Sequence, residues 1–109
     1  MEQSIVDKVK SENIGRELAL LKFVDAKDQD VEFIVTIPSL HEWKKFVSES
    51  QDEKRKQNAV ENLVRCCVKS PSKQELETIF QKMPVVIYKI GDELVTLAGD
   101  VKKAEVSFL

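Results

Sequence analysis

The chain has 109 residues, 12.5 kDa, with 42% hydrophobic and 33% charged residues, the make-up of one globular domain that can bury about two-thirds of its unfolded surface. A formal net charge of −2 and a pI of about 5.5 exclude the strong basic excess of a dedicated nucleic-acid binder. No apolar run approaches the ~20 residues that cross a bilayer, and MEQSIVDKVKSENIG at the amino terminus lacks a secretory pattern, so the expected location is the cytoplasm.

Met1 to Asn13 are polar, with Ile5, Val6 and Val9 at near-helical spacing, and residues 1–15 read as an arm or short helix that Gly15 ends. From Glu17 to Val24 apolar residues alternate weakly, and DAKDQD at 25–30 has the composition of a turn. Val31, Phe33, Val35 and Ile37 then alternate with Glu32, Ile34 and Thr36, a β-branched run of period two. Residues 17–37 are therefore predicted to form an antiparallel hairpin, which needs helices against its apolar face to persist in water.

Pro38 ends the second strand. Ser39 and Glu42 then fit a capping box that opens a helix over 39–49, with Leu40, Trp43, Phe46 and Val47 on one side. After the polar link SESQD a helix is predicted over 53–69, because Val60, Leu63, Val64, Cys67 and Val68 follow the spacing of one helical stripe. Pro71 disfavours helical geometry at Ser70 and stops it. Ser72 and Glu75 start a helix over 72–82 with Leu76, Ile79, Phe80 and Met83 as its stripe. Pro84 suits the first position of a last helix over 84–98. There Val86, Ile87, Ile90, Leu94 and Leu97 face inward, and Gly99 fits a left-handed cap. Inside that helix Gly91 costs about 1 kcal/mol relative to Ala. Residues 101–109 form a tail in which Val101, Ala104, Val106, Phe108 and Leu109 are apolar, and Phe108 and Leu109 gain most when another surface covers them. The expected fold is α+β and mostly helical: an N-terminal antiparallel β-hairpin followed by about four helices, a single domain over 16–100.

Residue chemistry points away from catalysis. His41 is the only histidine, no serine lies in a G-x-S-x-G context, and Gly15, Gly91 and Gly99 make no phosphate-binding loop. Cys66 and Cys67 are adjacent, which strains a disulfide between them on a helix, and without histidine partners they make no zinc site. Cys67 reads as a small core residue and Cys66 as a boundary one. Asp92 and Glu93 read as a helix face, since paired catalytic carboxylates come from separate elements. Lys54, Arg55 and Lys56 follow Asp52 and Glu53 and read as a solvated helix start. No enzyme activity, cofactor or metal is expected, and what remains is surface for other polypeptides. The candidate partner-binding residues are Trp43, Phe46, Phe80, Tyr88, Phe108 and Leu109.

The pattern as a whole resembles the tail assembly chaperones of long-tailed bacteriophages and prophages. The likeness is carried by a proline-started helix with an aromatic residue (VTIPSLHEWKKFV, 35–47), by Cys67-Val68 running into SPSKQEL at 70–76, and by GDELVTLAG at 91–99. It extends over about residues 18–100. The resemblance implies a non-catalytic protein of the bacterial host cytoplasm that binds the tape measure protein and keeps it soluble while tail tube protein polymerises around it. It also implies the short form of a chaperone that many phages extend by translational frameshifting, and association into rings or higher oligomers. Two rival readings are a prophage-encoded regulatory or immunity-type protein-binding module, and a weak nucleic-acid binder using Lys44, Lys45, Lys54, Arg55 and Lys56.

Overall fold

The computed structural model describes residues 1–99 and 104–109. It begins with a helix, α1 (Gln3–Glu12), so the hairpin is not the N-terminal element. Of the two readings left open for this segment, the helix is the one found. The Asn13 side chain donates to the Val9 carbonyl at 2.8 Å, and the chain then reverses at Gly15, whose φ of 83° favours glycine. The hairpin follows as β1 (Leu18–Val24) and β2 (Asp30–Thr36), with Leu21 opposite Phe33 and Ala19 opposite Val35. Its turn is built by Asp25, whose carboxylate accepts from the Lys27 and Gln29 amides at 2.8 and 2.9 Å, with Asp28 at φ 60°.

The helix α2 (Leu40–Gln51) opens on a complete capping box. The Glu42 amide donates to Ser39 Oγ at 3.2 Å and the Ser39 amide donates to Glu42 Oε1 at 2.9 Å. A helix does not start at residue 53. Asp52 accepts from the Lys54 amide at 2.8 Å and from Arg55 Nε at 3.2 Å, a local bond that competes with helical hydrogen bonding. The chain instead makes a 3-10 turn at Lys56–Asn58 and then α3 (Ala59–Cys67).

The predicted helix over 53–69 also fails at its other end. Residues 68–70 form β3 (Val68–Ser70), antiparallel to β2 with Val68 opposite Val35, in a sheet of order β1-β2-β3. The β2 edge offers unpaired backbone groups, and Val68, β-branched, gains more there than in a last helical turn already limited by Pro71. The remaining helices, α4 (Lys73–Lys82) and α5 (Val85–Leu97), lie where the sequence places them. Ser72 caps α4 by accepting from the Glu75 amide at 3.4 Å.

The core forms between the inner face of the β1–β2 pair and the helices α3, α4 and α5. Leu21, Phe33 and Val35 meet Leu63, Val64, Cys67, Leu76, Phe80, Ile87, Ile90 and Leu94. Phe23 and Phe33 pack edge-on with ring centroids 6.0 Å apart. The helices α3 and α5 touch where Gly91 faces Val60; a Cβ on Gly91 would lie 2.6 Å from Val60 Cγ1. The outer face of β2 is covered as well. Ile34 and Thr36 are buried beside Phe33 and Val35, so the expected alternation of inward and outward residues is lost at the end of the strand. Val9 of α1 is buried, and Val6 and Lys10 border a cleft with Leu18, Leu20 and Ile34, which places α1 over that outer face.

Candidate partner-binding surface

The helix α2 carries Leu40, Trp43 and Val47 at i, i+3 and i+7, which share one face of a helix. Leu40 is 69% exposed and Val47 is exposed. Trp43 is half-buried, its ring tilted on Phe46 at 5.3 Å, and Phe46 in turn packs against the core. These two of the predicted residues are brought together. On α5, Tyr88 is 53% exposed, with Val85 exposed one turn earlier. Phe108 (97% exposed) and Leu109 stand in the exposed segment 104–109, which forms no regular element. Val101 lies outside the described residues. Phe80 is corrected to a core residue: it is 5% exposed and sits under the Arg65 guanidinium, 6.0 Å from the ring centroid. Arg65 is anchored by Glu77 at 2.6 Å. Phe80 shares a stripe with Leu76 that faces inward, so it offers no surface to a partner.

One end of α2 is held by a polar cluster. Arg16 donates to the Ile37 carbonyl at 2.9 Å and to Glu42 Oε1 at 2.8 Å, and the Cys66 thiol donates to Glu42 Oε2 at 3.0 Å. Burial opposes ionisation of Glu42, but the Cys66 thiol, the Ser39 amide and Arg16 outweigh it and bring the pKa down to about 2. Burial, then the Glu42 carboxylate, push the Cys66 thiol up, and the same causes push Cys67 up to about 11. Both sulfurs therefore stay protonated at neutral pH, whereas the thiolate is the nucleophile and metal ligand.

A glutamate with a depressed folded-state pKa contributes stability that is complete above its unfolded value, about 4.3, and is lost as pH falls through about 2. Glu42→Gln is expected to flatten that part of the stability profile between pH 4.5 and 2, measured by urea unfolding at each pH. An unchanged acid limb would show that the cluster is not ionic.

The other end of α2 is fixed by a residue that sequence reading missed. Glu49 is buried and accepts from Asn62 Nδ2 of α3 at 2.6 Å. It fell in the SESQD segment expected as a link, and Asn62 fell on the polar side of its stripe, so no local pattern announced the pair. The exposed cations of the nucleic-acid reading are partly offset: Lys56 pairs with Glu53 at 3.0 Å and Arg55 with Asp52 at 3.1 Å. His41 is exposed on the first turn of α2. Among the described residues no group of three or more His, Cys, Asp or Glu side chains could hold a metal ion, and no helix is long and apolar enough to cross a membrane.

Further clefts lie elsewhere, one beside α1 and one beside β1. One of about 510 Å³ is lined by Ile5, Lys8 and Val9 of α1, with Glu32, Lys69 and Glu75 opposite. Another of about 260 Å³ runs along Leu20–Phe23 of β1, with Glu93 of α5 at its far wall.

These features define an α+β domain: a three-stranded antiparallel sheet with α3, α4 and α5 packed on one face and α1 over the other, and with apolar side chains left open on α2 and α5. The chain belongs to the family described as Domain of unknown function (DUF6848), which matches residues 11–107. It is similar in fold to the uncharacterised protein rbstp2171 from Bacillus stearothermophilus, with a TM-score of 0.73 at 17% identity, over 94% of this chain and 99% of that one. No curated protein matches the chain.

Proposed function

We propose that this protein is a phage or prophage tail assembly chaperone that binds the tape measure protein without catalysis and keeps it soluble during tail assembly. The observation that supports the reading is the apolar face of α2, where Leu40, Trp43 and Val47 stand on a helix clamped at both ends by Arg16–Glu42 and Glu49–Asn62. A long helical client presents apolar anchors at i, i+3, i+4 and i+7, which a fixed apolar helix face can meet. The proline-led helix and the Ser72-capped helix of the resemblance are also present, as α2 and α4.

Co-expression with a tape measure protein from its own genome is expected to raise the soluble tape measure fraction and to give a recoverable complex. Leu40→Asp with Val47→Asp changes two exposed side chains, so the fold should survive while recovery of the complex falls at least about tenfold, the scale of a lost interface anchor. Unchanged tape measure solubility and no complex with the wild-type chain would overturn the reading.

A further inference from the structure

We infer that β1 is a docking edge for a second copy of this chain, and that the strand it takes is residues 104–109 of that copy. In the order β1-β2-β3, only one side of β1 is paired among the described residues. The Asp25 amide bonds the Gln29 carbonyl and the Ile37 amide bonds the Glu17 carbonyl, so the odd-numbered residues of β1 direct their backbone groups toward β2. The amides and carbonyls of Leu18, Leu20, Lys22 and Val24 therefore point the other way, since direction alternates along an antiparallel strand. Among the described residues no backbone hydrogen bond reaches them. A seven-residue edge of sequence LALLKFV with one charge is a template for another strand.

Residues 104–109, AEVSFL, are exposed and in no regular element. Their apolar Ala104, Val106 and Phe108 alternate with Glu105, Ser107 and Leu109. On β1 the core face carries Ala19, Leu21 and Phe23 and the outer face Leu18, Leu20 and Lys22. Placing Val106 and Phe108 on the core face confines an antiparallel pairing to every second register. Of these, the register with Glu105 opposite Lys22 matches opposite charges directly across the strands. It sets Val106 against Leu21, Phe108 against Ala19 and Leu109 against Leu18. Glu105, Ser107 and Leu109 then meet the outward backbone groups of Lys22, Leu20 and Leu18, about six hydrogen bonds in three pairs. The cleft beside Leu20–Phe23 receives the added side chains. Lys22 is exposed enough to accept a second carboxylate beside Asp30, which it already meets at 3.2 Å. This edge stands apart from the α2 surface, so the inference holds whichever client the protein serves.

Sedimentation over a concentration series tests it. The full chain is expected to shift from monomer to higher mass as concentration rises. Val106→Asp with Phe108→Asp, two exposed positions that leave the monomer intact, is expected to stay monomeric throughout. Lys22→Glu and Glu105→Lys are each expected to weaken association about two- to fivefold per strand pair, and an equimolar mixture of the two variants is expected to recover it. A wild-type chain that stays monomeric, tail variants that associate like wild type, or a mixture no better than its components would each overturn the proposal, the last because it places the strand on its own chain.

Discussion

Phe33→Ala is expected to cost about 3–5 kcal/mol of folding stability, the range for emptying a fully enclosed aromatic site. Phe33 is 0% exposed and sits at the centre of the sheet's inner face, edge-on to Phe23 and in the cluster that holds Leu63, Ile90 and Leu94. The loss has two parts. The ring's transfer from water is forfeited, and three helices and two strands cannot all close on the space it leaves, because interiors are packed like crystals. Domains are stable by only about 5–15 kcal/mol, so the variant should melt on the order of 15–25 °C lower. Its urea midpoint should fall with little change in the slope. A loss under about 1 kcal/mol would show that Phe33 is not enclosed as described.

Gly91→Ala should destabilise the protein by up to about 2 kcal/mol, opposite to the usual outcome in a helix. Within α5, Ala is intrinsically better than Gly by about 1 kcal/mol. Against that, the new Cβ would lie 2.6 Å from Val60 Cγ1, far inside the ~3.5–4.0 Å carbon–carbon optimum. Val60 cannot simply swing away, because a β-branched residue in a helix has one strongly preferred rotamer. Overpacking of this kind costs about 1–3 kcal/mol, so the clash wins over the propensity. Val60→Ala removes the obstructing methyls, and the double variant Val60→Ala with Gly91→Ala should be more stable than the two single losses sum to. Thermal melts of the four proteins measure the coupling. A Gly91→Ala chain more stable than wild type would show that α3 and α5 are not in close contact at this point.

How much of this was legible in the chain depends on whether the deciding contact is local. The hairpin, α2 and α4 were readable because their signals lie within a few residues: the period-two run from Val31, the Ser39–Glu42 box, and Ser72 between two prolines. The three residues of β3 were not, since Val68 completes a helical stripe by spacing and turns to a strand only because the β2 edge lies beside it. The start of α3 was misplaced for a related reason, as Asp52 takes the Lys54 amide before a helix can form. Among candidate surface residues, the stripe of Phe80 was visible, but spacing says only which residues share a face and not what covers it. Trp43 and Phe46 could be grouped from their spacing, whereas Glu49 with Asn62, thirteen residues apart, could not.

Phe33, Ile34 and Val35 are consecutive and all buried, and this has a bearing on how the hairpin finds its alignment. A strand with one wet side resists sliding because a slip by one position would drown its greasy side chains. Here neighbouring positions are nearly interchangeable in that respect, so hydrophobicity is a poor ruler. The measuring is left to the reversal at residues 25–29, where the Asp25 carboxylate grips two amides and Asp28 takes a left-handed twist.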